Sequence, residues 1–260
     1  MSDMPFLDHL EELRKRLLKM VVAVGICVGI GFLLVMKFDF IALLEKPILP
    51  YLMGRKLIFT HPGDSFSIVM QVSFGVGFAL AAPVLLYQLW AFLSPALYKH
   101  EKKVVIPLLF SATCLFMMGA ALAYFFVLPF ALKFLMQFQT AALEPMITAR
   151  DYFDFATSLA LSMGAVFELP ILLVGLTALG IVTPKQLRQF RRHAAVAAFV
   201  GSAVITPGDL ITTTVMLMVP LYGLYEVSII ASSILFARKE KRRLASEAES
   251  GAESDAEALA

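Results

Sequence analysis

Phe6-Leu7-Asp8-His9-Leu10-Glu11-Glu12-Leu13-Arg14-Lys15-Arg16-Leu17-Leu18-Lys19 leads directly into an apolar run from Met20 to Met36. At about 100° per residue, Phe6, Leu10, Leu13 and Leu17 share one narrow face of a helix. His9, Glu12 and Arg16 gather on one flank, and Asp8, Glu11 and Lys15 lie roughly opposite the apolar face. An amphipathic, net-basic helix ahead of a membrane span is expected to lie along the cytoplasmic headgroups and present its carboxylates to whatever approaches.

Composition sets the class. The chain has 260 residues, 59% of them apolar and only 16% charged, with a mean hydropathy of +0.80. Soluble domains average about 45–50% apolar and about 25% charged. The excess lies in runs long enough to cross a bilayer, so lipid is the solvent of this fold. A net charge of +2, spread over several loops, points away from nucleic acid. Cys27 and Cys114 both lie inside apolar runs, where packing is the expected role. Met20 to Met36 is too long for the apolar core of a cleavable signal peptide and has no small-residue cleavage site behind it.

Six spans follow: Leu17 to Met36, Ser67 to Leu89, Val104 to Leu128, Phe155 to Leu179, Ala194 to Thr206 and Leu210 to Phe236. The expected fold is an all-α membrane protein, a cupped bundle of six transmembrane helices in which span 5, and less strongly span 6, is short. Of the 22 Lys and Arg, sixteen fall on the side that holds both termini, which places both in the cytoplasm. The fifth span has only 13 residues, about 20 Å of helix against a hydrocarbon core of about 30 Å. Local thinning of the bilayer, or burial against protein, would absorb the mismatch. Residues 1–236 read as the membrane domain. The tail, 237–260, is rich in Glu, Ala and Ser, lacks aromatics, and is expected to be disordered.

Few groups can carry chemistry. Glu168 falls within span 4 in Gly164-Ala165-Val166-Phe167-Glu168-Leu169-Pro170, where a carboxylate costs about 2.5–3.5 kcal/mol to insert. Pro170 has no N–H for the Val166 carbonyl, so polar backbone is freed one turn away. Two readings stand: a polar spot in a groove open to a guest chain, or a protonated Glu bonded to a neighbouring span. Glu226 on span 6 is as well read as structural, and Asp209 as the cap of span 6. Glu101 opens span 3 in Tyr98-Lys99-His100-Glu101, where the helix dipole alone would favour it. Glu12 and Glu11 stand at i,i+4 from Arg16 and Lys15, exposed pairs worth a few tenths of a kcal/mol. Taken together, two carboxylates at the cytoplasmic face could each take a guanidinium in a bidentate fork, which a lysine cannot reproduce. Phosphate-loop, zinc-helix and nucleophile-elbow motifs are missing, and His9, His61, His100 and His193 are far apart in sequence. No catalytic residue, metal or cofactor is expected.

Five blocks in order carry a resemblance: His9 to Leu17, Ala82 to Phe92, Pro95 to Glu101, Phe167-Glu168-Leu169-Pro170 and Thr206-Pro207-Gly208-Asp209. Over about residues 6 to 236 the chain resembles TatC, the multi-spanning receptor subunit of the bacterial twin-arginine protein translocase. The resemblance implies a multi-pass protein of the bacterial cytoplasmic (inner) membrane, N-in and C-in, that binds the paired-arginine signal peptide of folded precursors. It implies that Glu12 and Glu101 hold the arginines, that Arg14, Phe92, Tyr98 and Lys99 shape the site, and that Glu168 faces the groove followed by the peptide's apolar part. It further implies oligomeric assembly with the single-span subunits TatA and TatB, and use of the proton gradient without nucleotide or metal. It implies that the region near Thr213, where some relatives carry Gln in a polar cluster, serves partner contact; here the residue is Thr, and Asp209 and Glu226 are grouped with it as partner contact or outer cap. The alternative from another class is a proton-coupled small-molecule transporter using Glu168 and Glu226.

Overall fold

The computed structural model describes residues 6–52, 54–93, 102–137, 146–178, 180–205 and 212–258. The helices, in chain order, are α1 (Phe6–Phe38), α2 (Phe40–Glu45), α3 (Asp64–Leu93), α4 (Lys102–Leu122), α5 (Leu128–Gln137), α6 (Ala149–Phe167), α7 (Leu169–Ala178), α8 (Pro184–Gln189), α9 (Arg191–Ile205) and α10 (Thr212–Ala258). Among the described residues there is no strand, only a single bridge between Ile58 and Thr148. Five helical stretches are long and apolar enough to cross a membrane, and α9, with 15 residues, is the short member of the set. Span 6 is not short: its apolar part, Thr214–Ala237, has 24 residues.

Three sequence expectations about helix ends change. The amphipathic segment does not form a separate helix on the headgroups; α1 is one helix of 33 residues. Between Phe6 and Val24 there is neither Gly nor Pro to break it. Span 3 does not stop at Leu128: a π-turn, Ala123–Val127, joins α4 to α5, which continues to Gln137. The wider turn accommodates Pro129, whose ring would collide with the carbonyl of Phe125 in a regular helix. The tail expected to be disordered instead prolongs α10 to Ala258. Its Ala, Glu, Lys and Arg are strong helix formers, so a composition too polar for a core still makes a solvated helix.

Glycines set how closely the spans approach. A Cβ on Gly77 would lie 2.5 Å from Val28 Cα, and one on Gly31 would lie 2.6 Å from the Ser73 carbonyl oxygen. Without a hydrophobic driving force in lipid, such close backbone packing is a main source of helix association. Across α4 and α6, Gly119 similarly meets the Met163 carbonyl and Phe167, while Gly164 meets the Phe116 ring.

Between α1 and α3 the chain makes a compact cap. Asp39 takes the left-handed conformation (φ 52°) that turns α1 into α2, a region Asp tolerates better than most residues. The Tyr124 hydroxyl donates to the Leu43 carbonyl and the Tyr152 hydroxyl to the Leu44 carbonyl. Ile58 N–H donates to the Ile147 carbonyl and Ala149 N–H to the Ile58 carbonyl, which joins the lead-in to α3 to the lead-in to α6. Asp64, 2% exposed, accepts from the backbone N–H of Thr60 (2.9 Å) and His61 (2.8 Å) and from the Thr60 hydroxyl (3.0 Å). The donors one turn ahead of α3 are thus held by its first residue. The core beneath this cap includes Ile48, Val72, Leu128, Tyr152 and Met163.

Candidate functional site

Helices α1 and α3 run antiparallel in a fixed register. Arg16 Nη1 donates to Gln88 Oε1 at 3.4 Å, and the Gly77–Val28 and Gly31–Ser73 approaches continue the same pairing. Carried one turn further, that register sets Glu12 level with Phe92. Glu12 is three-quarters buried and accepts from Arg16 Nε at 2.9 Å and from Arg16 Nη2, both bonds ending on Oε1. The expected i,i+4 pair is therefore present, and the geometry shows that this carboxylate takes a guanidinium through two nitrogens. Glu11 and Lys15 also pair, at 2.8 Å, both well exposed. Arg14 is exposed on the same helix, and Phe92 is half-buried near the end of α3. Tyr98, Lys99 and Glu101 lie outside the described residues, between α3 and α4, as does Asp209 between α9 and α10. Thr213 falls in the first turn of α10.

Glu168 stands where span 4 breaks. α6 ends at Phe167 and α7 begins at Leu169, and the Glu168 N–H turns back to the Ala165 carbonyl at 3.2 Å. The carboxylate is only 5% exposed, and neither oxygen has a partner among the described residues. Among the described residues the carboxyl bonds to no neighbouring span. Pro170 explains the break, since its ring cannot sit in an unbroken helix over the Val166 carbonyl. A buried, unsatisfied carboxyl costs about 1–3 kcal/mol or more, so the fold holds it at a stability penalty.

Glu226 is differently placed. Its Oε2 accepts from Arg191 Nη2 at 2.7 Å and its Oε1 from the Tyr222 hydroxyl at 2.9 Å. The carboxylate ties the start of α9 to α10. Glu226 is thus engaged with Arg191 rather than with Glu168, and the transporter expectation loses its second carboxylate. Arg191 and Gln88 were not picked out from the sequence. Arg191 belongs to a basic run, and its partner lies 35 positions away, so only the fold reveals the pair.

These features define a class: an all-α, six-span membrane protein with a guanidinium-binding carboxylate at one end of its first span and a buried carboxyl in its fourth. Comparison with known proteins fixes which one. The family profile of Sec-independent protein translocase protein (TatC) matches residues 8–220. The TatC proteins of Aquifex aeolicus and Escherichia coli K12 are 41% and 37% identical to this chain, each over 92% of it and over 98% and 92% of their own lengths. A crystal structure titled as the twin arginine translocase receptor TatC superposes with a TM-score of 0.73 at 42% identity, covering 87% of this chain and 99% of that one. The chain belongs to the TatC family and is a core subunit of the twin-arginine translocase, a multi-pass protein of the inner membrane. The transporter alternative is not supported.

Proposed function

We propose that this chain is the receptor for paired-arginine signal peptides of folded precursors, and that it binds without a reaction of its own. Glu12 and Glu101 each take one guanidinium; Arg14, Phe92, Tyr98 and Lys99 shape the notch around them. The observation that carries this reading is the register fixed by Arg16 and Gln88. It sets Glu12 level with Phe92, at the end of α3 from which residues 94–101 lead into α4. Glu12 already binds Arg16 through two nitrogens on one oxygen, so an incoming arginine can exchange with Arg16 at the same charge-assisted geometry.

Both termini face the cytoplasm in this reading, following the distribution of Lys and Arg. Residues 1–236 form the membrane domain, and 237–260 extend from it into the cytoplasm. The peptide's apolar part then runs along the spans toward Glu168, whose unpartnered carboxyl is satisfied when the groove opens to a guest. Single-span TatA- and TatB-type subunits assemble on the scaffold, with Asp209, Thr213 and the Glu226 region available for contact, and the proton gradient drives transport. The test is site-specific photo-cross-linking from position 92 to a twin-arginine precursor. The E12Q/E101Q variant should insert normally and lose the cross-link, and undiminished cross-linking would refute the notch.

A further inference from the structure

A second surface is built where α8, α9 and α10 meet. α8 is short but firmly held. Thr183 caps it with a reciprocal bond to Gln186, and Leu187 is buried. The Tyr225 hydroxyl donates to the Leu187 carbonyl at 2.7 Å, Arg188 Nη2 to Ser233 Oγ at 3.3 Å, and Arg191 to Glu226 at 2.7 Å. These bonds fix the elbow between α8 and α9 against α10.

What the elbow turns outward has a definite chemistry. Phe190 is 56% exposed, its ring 5.4 Å from that of His193. Lys185 and Arg192 on either side of it are exposed. Further along α10, Lys241 is exposed as well. An exposed aromatic ring among cations, at the end of a pair of spans, matches the boundary between acyl chains and phosphates. The short α9 sharpens the match: 15 residues give about 22 Å of helix, less than the hydrocarbon thickness of about 30 Å. A span that short costs least where headgroups come inward to meet it, beside the cations at its start.

We propose that this elbow is a binding site for an anionic phospholipid, its phosphate between Lys185 and Arg192 and an acyl chain against Phe190. The charge sign selects against zwitterionic lipid, and the exposed ring distinguishes a lipid from a free phosphate.

The full chain, purified in neutral detergent, is incubated with phosphatidylglycerol or phosphatidylcholine, and retained lipid is read by native mass spectrometry. Phosphatidylglycerol should be retained preferentially. K185Q/R192Q should lower its apparent affinity on the order of 30-fold, about fivefold for each juxtamembrane cation removed. K37Q/R55Q, which deletes two cations outside the elbow, should leave it unchanged. If K185Q/R192Q fails to fold, the single variants K185Q and R192Q make the same comparison, each with about a fivefold loss. Phe190→Ser should weaken lipid retention without changing competition by inorganic pyrophosphate. Equal loss in the elbow and control variants, or equal retention of the two lipids, would overturn the site. Full displacement by pyrophosphate with no effect of Phe190→Ser would make it an anion site and overturn the lipid assignment.

Discussion

Gly77→Ala puts a single methyl group where α3 crosses α1. Its carbon would lie 2.5 Å from Val28 Cα, 2.7 Å from Val28 N and 2.9 Å from the Cys27 carbonyl oxygen. All three are backbone atoms, so no rotamer change relieves the contact. Carbon atoms pack at about 3.5–4.0 Å, so the two helices must part by about 1 Å, which forfeits a quarter to a half of each dispersion contact along the seam. Overpacking of this kind typically costs about 1–3 kcal/mol. Alanine's better helix propensity returns about 0.5–1 kcal/mol. The net loss is therefore about 1–2 kcal/mol, a fall in melting temperature of roughly 3–8 °C for a chain of this size. Gly25→Ala and Gly29→Ala provide the matched control on α1, because nothing lies within 4 Å of a Cβ at either position. They should hold or slightly raise the melting temperature. Thermal unfolding in detergent, followed by the fraction remaining monodisperse on size exclusion, measures all three. The same shift would stretch the Arg16–Gln88 bond, already 3.4 Å, so Gly77→Ala should also weaken cross-linking of a twin-arginine precursor from position 12. If Gly77→Ala melts at or above the parent, the close-crossing argument is wrong.

Glu168→Leu removes a buried carboxyl that has no partner among the described residues and should stabilise the fold by about 1–3 kcal/mol while export of a twin-arginine reporter falls; a lower melting temperature would show that the carboxyl is satisfied. Tyr152→Phe deletes the bond to the Leu44 carbonyl, worth about 1 kcal/mol, and should raise amide hydrogen exchange across residues 43–52 about fivefold. Arg191→Met leaves Glu226 with Tyr222 alone and should cost about 1 kcal/mol, a modest figure because the pair is partly exposed. The Arg191→Met/Glu226→Met double variant should recover most of that loss in a thermal-melt cycle, and strictly additive losses would count against the pair.

Hydropathy was enough to draw the spans, because an apolar run of the right length has few other uses. Helix ends were harder. The amphipathic start of α1 read as a surface helix, although the lack of any breaker before Val24 was visible and decided the outcome. Glu168 stood out as a carboxyl in an apolar run, but whether a groove exposes it depends on how α6 and α7 pack. The glycines show the limit most clearly. Gly25, Gly29 and Gly31 lie within seven residues of one helix, and only the fold reveals that Gly31 meets a partner while the other two do not. The tyrosine bonds to Leu43 and Leu44 were out of reach for a related reason: their acceptors are backbone carbonyls 81 and 108 positions away, and a carbonyl leaves no mark in a sequence.

The link between Ile58 and residues 147–149 has a mechanical consequence. It fastens the lead-in to α3 to the start of α6, while Tyr124 of the π-turn and Tyr152 of α6 clasp α2. Spans two and four are thus latched at one rim, like the pinned end of a pair of shears. Parting these spans for a guest helix therefore has to work against that pinned rim.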